Sequence, residues 1–240
     1  ISLIIPYENL EDCIATVPKF FMNHLAPQAL EFMEKEVVMD TEKFLGKQVY
    51  PKEMEGTEVG AYLLATFDGN SEEQLEDIVE QAAEVVVEAG AIDVLVADTP
   101  ALKKLEAIEA DTVLLDECDV VVPTNKIAEF LTYTKSLEAE ADFRVKSFGH
   151  AGDGNLHIYA CSNDMEEAEF KKQVAVFMDK VYAKATEFGG MISGEHGIGH
   201  GKMDYLAESL GPVQMRIMEG VKEVFDPNMI LNPGKICYKL

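Results

Sequence analysis

"DFRVKSFGHAGDGNLHIYACS", residues 142–162, decides the fold. Two extended runs, 143–150 and 155–161, flank Ala-Gly-Asp-Gly-Asn, whose glycines and short polar side chains favour a tight turn over a helix. A turn this short forces antiparallel pairing, because parallel neighbours need a crossover of a dozen residues or more. The same turn separates His150 from His157, so the hairpin that begins the sheet also sets two imidazoles on adjoining strands.

On either side, helices and single strands alternate. Residues 2–5, 57–69, 91–99 and 111–123 read as strands. Residues 9–25 show broken helical periodicity, and 27–46 (PQALEFMEKEVVMDTEKFLG) place apolar residues at helical spacing, which predicts one helix. Residues 70–90 predict a helix capped by Asn70 or Ser71, acidic in its first turn and closed by Gly90. Helices are also predicted over 100–110, 124–141 and 163–190, then a glycine-rich loop over 189–201 and mostly helix to about 224. The pattern predicts an α+β fold: a largely antiparallel sheet with helices packed on one face, built from split βαβ units. The strand–helix–strand of 57–98 is echoed in pattern by 112–161.

Composition narrows the function. The chain has 240 residues and a net charge of −24, which repels nucleic acid and disfavours it as a partner. The same field repels small anions unless a metal ion or lysines supply a local positive centre. No apolar run is long enough to span a bilayer, and no secretory signal pattern is present. Cys13, Cys118, Cys161 and Cys237 are scattered without a CxxC, so free thiols in a reducing, cytoplasmic setting are expected.

Four of the five histidines lie between 150 and 200, and Glu195 precedes His196 in "SGEHGIGHGK", residues 193–202. Two imidazoles and one carboxylate, here His150, His157 and Glu195, form the donor set of an open catalytic site for Zn²⁺, Mn²⁺ or Fe²⁺. His196 beside it is the candidate general base. Adjacent residues on a regular strand point to opposite faces, but an irregular glycine loop lets Glu195 and His196 converge. Either segment alone is more simply a hairpin turn or a hydrogen-bonded strand histidine; both together, in a histidine-poor chain, point to a site. Lys126 and Lys202 are candidate substrate-anion contacts, with solvated lysines as the equal alternative.

"GHAGDGNLH" (149–157), "GGMISGEHGIGHGK" (189–202) and "FDPNMILNPGK" (225–235) resemble, in that order, the C-terminal domain of the FAD-linked oxidases and dehydrogenases. The glycolate oxidase large subunit, D-lactate dehydrogenase and D-2-hydroxyglutarate dehydrogenase types are the kin. The resemblance implies a ferredoxin-like cap domain over 1–240, in which 189–240 form the glycine-rich loop and a flavin-side helical tail. It implies that His150, His157 and Glu195 bind a divalent metal, that His196 is the base, and that Asn232, with Asn155, lies on the cofactor side.

The implied activity is oxidation of a small 2-hydroxy acid, with hydride passing to FAD. The FAD is held mostly by an N-terminal FAD-binding domain for which this chain has no room, so the chain alone is expected not to turn over. The implied partners are that domain and an iron–sulfur or electron-transferring flavoprotein subunit, with peripheral membrane attachment only through such subunits. One departure stands out: a Trp-x-x-Arg element that grips the substrate carboxylate in many relatives is replaced by "ALKKLEAIEA" (101–110), in a chain without Trp. Glu106 stands near the expected arginine, and Lys103 or Lys104 are candidate substitutes. A non-catalytic assembly module and a free-standing metal-dependent hydrolase are the alternative functions.

Overall fold

Two similar halves build one sheet. The computed structural model describes residues 1–97 and 114–237. The first half runs β1 (Ser2–Tyr7), α1 (Leu10–Met22), β2 (Ala29–Glu34), α2 (Lys35–Leu45), a small hairpin β3 (Glu53–Met54) and β4 (Thr57–Glu58), β5 (Ala61–Thr66), α3 (Glu72–Glu88) and β6 (Leu95–Ala97). The second half runs β7 (Leu114–Val121), α4 (Ile127–Ser136), β8 (Arg144–His150), β9 (Asn155–Ser162), α5 (Glu167–Glu187) and α6 (Met203–Phe225).

The seven long strands form a single sheet in the order β6-β1-β5-β2-β8-β9-β7, and every pairing is antiparallel. Strands β6, β1, β5 and β2 make one ferredoxin-like βαββαβ unit. Strands β8, β9 and β7 make a second, in which the fourth strand shrinks to a single bridge between Met191 and Val121. The units join edge to edge through β2 and β8, with Glu31 opposite His150 and Met33 opposite Phe148. Closing two edges against each other removes two open rows of backbone donors and acceptors. The echo in the sequence therefore runs between 1–97 and 114–191, not between 57–98 and 112–161.

Strand alternation gives the sheet two different faces. One carries Leu3, Ile5, Phe32, Leu63, Val120, Val145, Leu156 and Ile158, all buried. Against it pack Val17 and Phe20 of α1, Ala82 and Val86 of α3, Phe130 and Leu131 of α4, and Phe177 and Val181 of α5. Side chains of this size stabilise the fold by about 1.5–3 kcal/mol each when fully buried. On the opposite face, α2 and the β3–β4 hairpin cover only the half around Ile4, Met33, Val38, Tyr50 and Tyr62. Asp40 and Glu36 of α2 also reach Lys146 and Arg144 of β8, and the remaining part, around His150, His157 and Asp119, is left for polar side chains.

Residues 27–46 are not one helix. Ala29–Glu34 form β2, and the helix begins at Lys35. Leu30, Phe32 and Met33 fit a helical stripe as well as a strand, and pairing with β5 and β8 decides for the strand. The predicted helix over 100–110, with Lys103, Lys104 and Glu106, lies outside the described residues. The helix after residue 203 bends at Gly211-Pro212, where Gly211 has φ 76°. No helix among the described residues is long and apolar enough to cross a membrane. The four cysteines are free thiols, three of them buried.

Candidate active site

The β8–β9 turn is fastened by the Gly154 amide, which donates to His150 O at 3.0 Å, and by Asp153 Oδ1, which accepts from the Asn155 amide at 3.0 Å. Gly154 has φ 82°, and a Cβ there would stand 2.1 Å from Val122 O, so the turn closes only around glycine. The register places His157 opposite both Phe148 and Asp119, and His150 opposite both Glu31 and Asn155. All of these side chains belong to the face that the helices leave open.

Asp119 brings the glycine loop to that face. Its Oδ2 accepts from Ser193 Oγ at 2.9 Å, and from the backbone amides of Gly194, Glu195 and His196 at 2.9, 3.0 and 2.9 Å. Three successive amides turned onto one oxygen make a compact anion nest. Burial opposes ionisation of Asp119, but the hydrogen bonds from His196 and Ser193, the Lys202 charge and the Glu195 amide prevail and hold its carboxyl below the usual range. A Cβ on Gly194 would stand 2.1 Å from Asn155 Oδ1 and 2.7 Å from Asp119 Oδ1. The pinned loop turns the consecutive side chains of Glu195 and His196 toward the same cluster.

Glu195 Oε1 is the centre of that cluster. His150 Nε2 and His157 Nε2 each lie 3.4 Å from it, and His196 Nε2 lies 4.0 Å from it. On the far side of each ring, Nδ1 faces another acid. His150 Nδ1 meets the Glu31 carboxylate at 2.7 Å. His157 Nδ1 and His196 Nδ1 share Glu117 Oε1, at 3.3 and 3.2 Å. The His157 and His196 rings stack with centroids 4.9 Å apart. Burial opposes protonation of His150, yet the hydrogen bond and charge of Glu31, with the charges of Glu195 and Asp153, raise its pKa. Burial pushes Glu31 up, against the pull of His150.

Two donor triads result, His150–His157–Glu195 and Glu117–His157–His196, each with its ligand atoms within 4.8 Å of one another. The first offers two imidazole nitrogens and a carboxylate oxygen, a set that suits Zn²⁺, Mn²⁺ or Fe²⁺. Glu117 Oε1 and His157 Nδ1 are buried atoms without an aligned hydrogen-bond partner, a costly condition that a bound ion or a small ring rotation relieves. The donor set and these atoms fit a divalent cation.

The other predicted residues fall outside the donor cluster. Asn155 is buried beside it, its Oδ1 against Gly194. Lys202 Nζ reaches Asp119 O at 3.5 Å, under the loop. Lys126 pairs with Glu129 at 2.7 Å and lies over the Phe188 ring. Asn232, with φ 45°, lines an apolar groove of about 440 Å³ between α6 and the tail, with Ile217, Val221 and Leu231. Three residues of the site escape the sequence motifs: Glu31, Glu117 and Asp119. The signal for the last two is their i, i+2 spacing in an extended run, which puts both on one face.

Structural comparison defines the fold class first. The substrate-bound crystal structure of p-cresol methylhydroxylase superposes with a TM-score of 0.70 at 13% identity, over 99% of this chain and 52% of that one. The isoeugenol complex of 4-ethylphenol oxidase from Gulosibacter chungangensis gives 0.68 at 16% identity, over 99% and 54%. Sequence comparison is more specific. The family model "FAD linked oxidases, C-terminal domain" matches residues 1–236, and the chain belongs to that family. It is 93% identical to a D-lactate dehydrogenase of Anaerostipes hadrus, over 100% of this chain and 52% of the relative. It is 36% identical to a D-lactate dehydrogenase of Archaeoglobus fulgidus, over 99% and 52%, and 32% identical to the glycolate oxidase subunit GlcD of Bacillus subtilis, over 99% and 51%. The chain thus spans about half the length of the curated relatives it matches.

Proposed function

We propose that this chain forms the substrate-site half of a flavin-dependent dehydrogenase acting on a small D-2-hydroxy acid, with D-lactate the first candidate. One observation carries the reading: three imidazole Nε2 atoms converge on Glu195 Oε1 in a chain of the FAD-linked oxidase family. The 93% identity to a D-lactate dehydrogenase supports the choice of substrate.

His150, His157 and Glu195 hold a divalent ion, and His196 is the base. When bound, the ion supplies Lewis-acid polarisation of the substrate's hydroxyl and carboxylate oxygens, and the flavin supplies the hydride acceptor. His196 takes the hydroxyl proton at Nε2, the nitrogen turned toward Glu195, because its Nδ1 faces the Glu117 carboxylate at 3.2 Å. Asp119 keeps base and ligand in one place by fixing their backbone. The cation also offsets the −24 field where an anionic substrate sits. Asn155 and Asn232 are assigned to the cofactor side, and Lys202 and Lys126 remain candidate anion contacts. Buried free thiols support a reducing, cytoplasmic setting. A separate acceptor protein of the iron–sulfur or flavoprotein kind would be the electron-accepting partner of the whole enzyme.

The test joins this chain to the remaining half of the Anaerostipes hadrus relative and measures D-lactate and glycolate turnover. His196→Ala lowers kcat by roughly 10²–10⁴-fold, the range for loss of a general base. Unchanged turnover in that variant contradicts the assignment.

A further inference from the structure

Glu117 sits two residues before Asp119 on β7, diagonal to His157 on β9. Among the described residues its Oε1 is the one carboxylate oxygen that faces the Nδ1 atoms of both stacked rings, at 3.3 Å from His157 and 3.2 Å from His196. We propose that Glu117 is the positioning residue for His157 and His196 together, accepting Nδ1–H from both imidazoles so that both turn an Nε2 lone pair toward Glu195. The proposal deepens the functional reading above and rests on its roles for these two histidines.

A neutral imidazole has one N–H and one lone pair, and the partner of one nitrogen fixes which is which. An acceptor at Nδ1 therefore commits Nε2 to ligation or to proton abstraction. Glu31 stands in the same relation to His150, so two acids on β2 and β7, the strands flanking the β8–β9 hairpin, orient all three rings on a common centre. The 23° angle between the stacked His157 and His196 rings lets one oxygen serve both. Glu117 Oε1 and His157 Nδ1 have no aligned hydrogen-bond partner as the side chains stand, so the proposed bonds require the rings to rotate. A second ion bound by Glu117, His157 and His196 is the competing arrangement. With the first triad filled as well, it requires His157 to ligate through both nitrogens, which only a deprotonated, anionic ring can do.

The test is long-range ¹H–¹⁵N NMR of the imidazoles in the metal-free 240-residue chain, at a pH where imidazole is neutral. Nδ1–H tautomers at His157 and His196 in the wild type, shifting toward Nε2–H in Glu117→Ala while His150 keeps its own, bear the proposal out. Nε2–H tautomers at His157 or His196 in the wild type overturn it, as does an unchanged pair in Glu117→Ala. Glu117→Gln keeps an acceptor oxygen at nearly the same volume and is expected to retain the wild-type tautomers; their loss there overturns hydrogen-bond acceptance as the cause, even where the alanine variant does not fold. Zn²⁺ titration adds a second readout: Glu117→Ala binds about 10–100-fold more weakly with a stoichiometry of one ion retained. A second ion in the wild type that this variant loses overturns the proposal, since Glu117 is then a ligand. The tautomers are read without metal, so a chain that binds no Zn²⁺ yet shows Nδ1–H at both rings refutes the metal assignment and leaves this one standing.

Discussion

The Asp119 carboxylate accepts the His196 amide at 2.9 Å across 77 positions of sequence, with the Gly194 and Glu195 amides on the same oxygen. This link between the edge strand β7 and a glycine loop determines where Glu195 and His196, the proposed ligand and base, stand. In Asp119→Ala the three amides lose a charged acceptor, and stability falls by roughly 1.5–3 kcal/mol, the usual contribution of a hydrogen bond to an ionised group. Urea unfolding measures the loss. Zn²⁺ titration at a urea concentration where the variant stays folded is expected to show a larger effect, because the misplaced loop carries Glu195 away from His150 and His157.

Asp119 also predicts a pH dependence. Its folded pKa lies below the usual carboxylate value, so it stabilises the fold at neutral pH. That contribution is fully present above the unfolded pKa of about 3.9 and is lost as pH falls through the folded value. The stability difference between wild type and Asp119→Asn is therefore expected to hold from pH 7 to about 5 and to shrink on further acidification. Parallel denaturant curves over that range measure it; a difference that grows toward acid contradicts the sign.

Gly194 and Gly197 separate steric from conformational need in the loop. A Cβ at Gly194 meets Asn155 Oδ1 at 2.1 Å, whereas at Gly197, with φ 78°, it meets nothing within 4 Å. Gly194→Ala forces the loop off Asp119 and is expected to weaken Zn²⁺ binding at least tenfold. Gly197→Ala costs about 1–2 kcal/mol of left-handed backbone strain and leaves the ligands in place. Equal effects of the two on binding tell against the close packing.

Phe32 tests the assignment of 29–34 as a central strand. It is fully buried between the halves, and Phe32→Ala is expected to cost about 3–5 kcal/mol in chemical denaturation. Its neighbour Glu31 faces the site instead, so Glu31→Ala leaves the fold largely intact and loosens His150. A Phe32→Ala cost below about 1 kcal/mol is incompatible with this packing.

The hairpin and the loop were legible because glycine marks them: Gly152 and Gly154 between two imidazoles, and Gly194 and Gly197 around Glu195-His196. Glu31 was hidden because β2 carries a pattern that also suits a helix, and only its two neighbouring strands choose. Glu117 and Asp119 look like ordinary solvated acids in a chain with 44 of them, and their roles depend on strand register and on a loop 74 or more residues away. The repeat of the ferredoxin-like unit was visible in outline but misaligned, because its last strand survives only as the Met191 bridge.

The central claim, that His150, His157 and Glu195 hold a divalent ion, is tested most directly by elemental analysis. Wild type and His157→Ala are dialysed mildly, re-supplied with Zn²⁺, Mn²⁺ or Fe²⁺, and freed of excess ion. Near-stoichiometric metal in the wild type, absent from a variant that keeps its circular dichroism and melting transition, is the predicted result. Folded wild type that retains none of the three ions, or a His157→Ala that retains as much as the wild type, contradicts it.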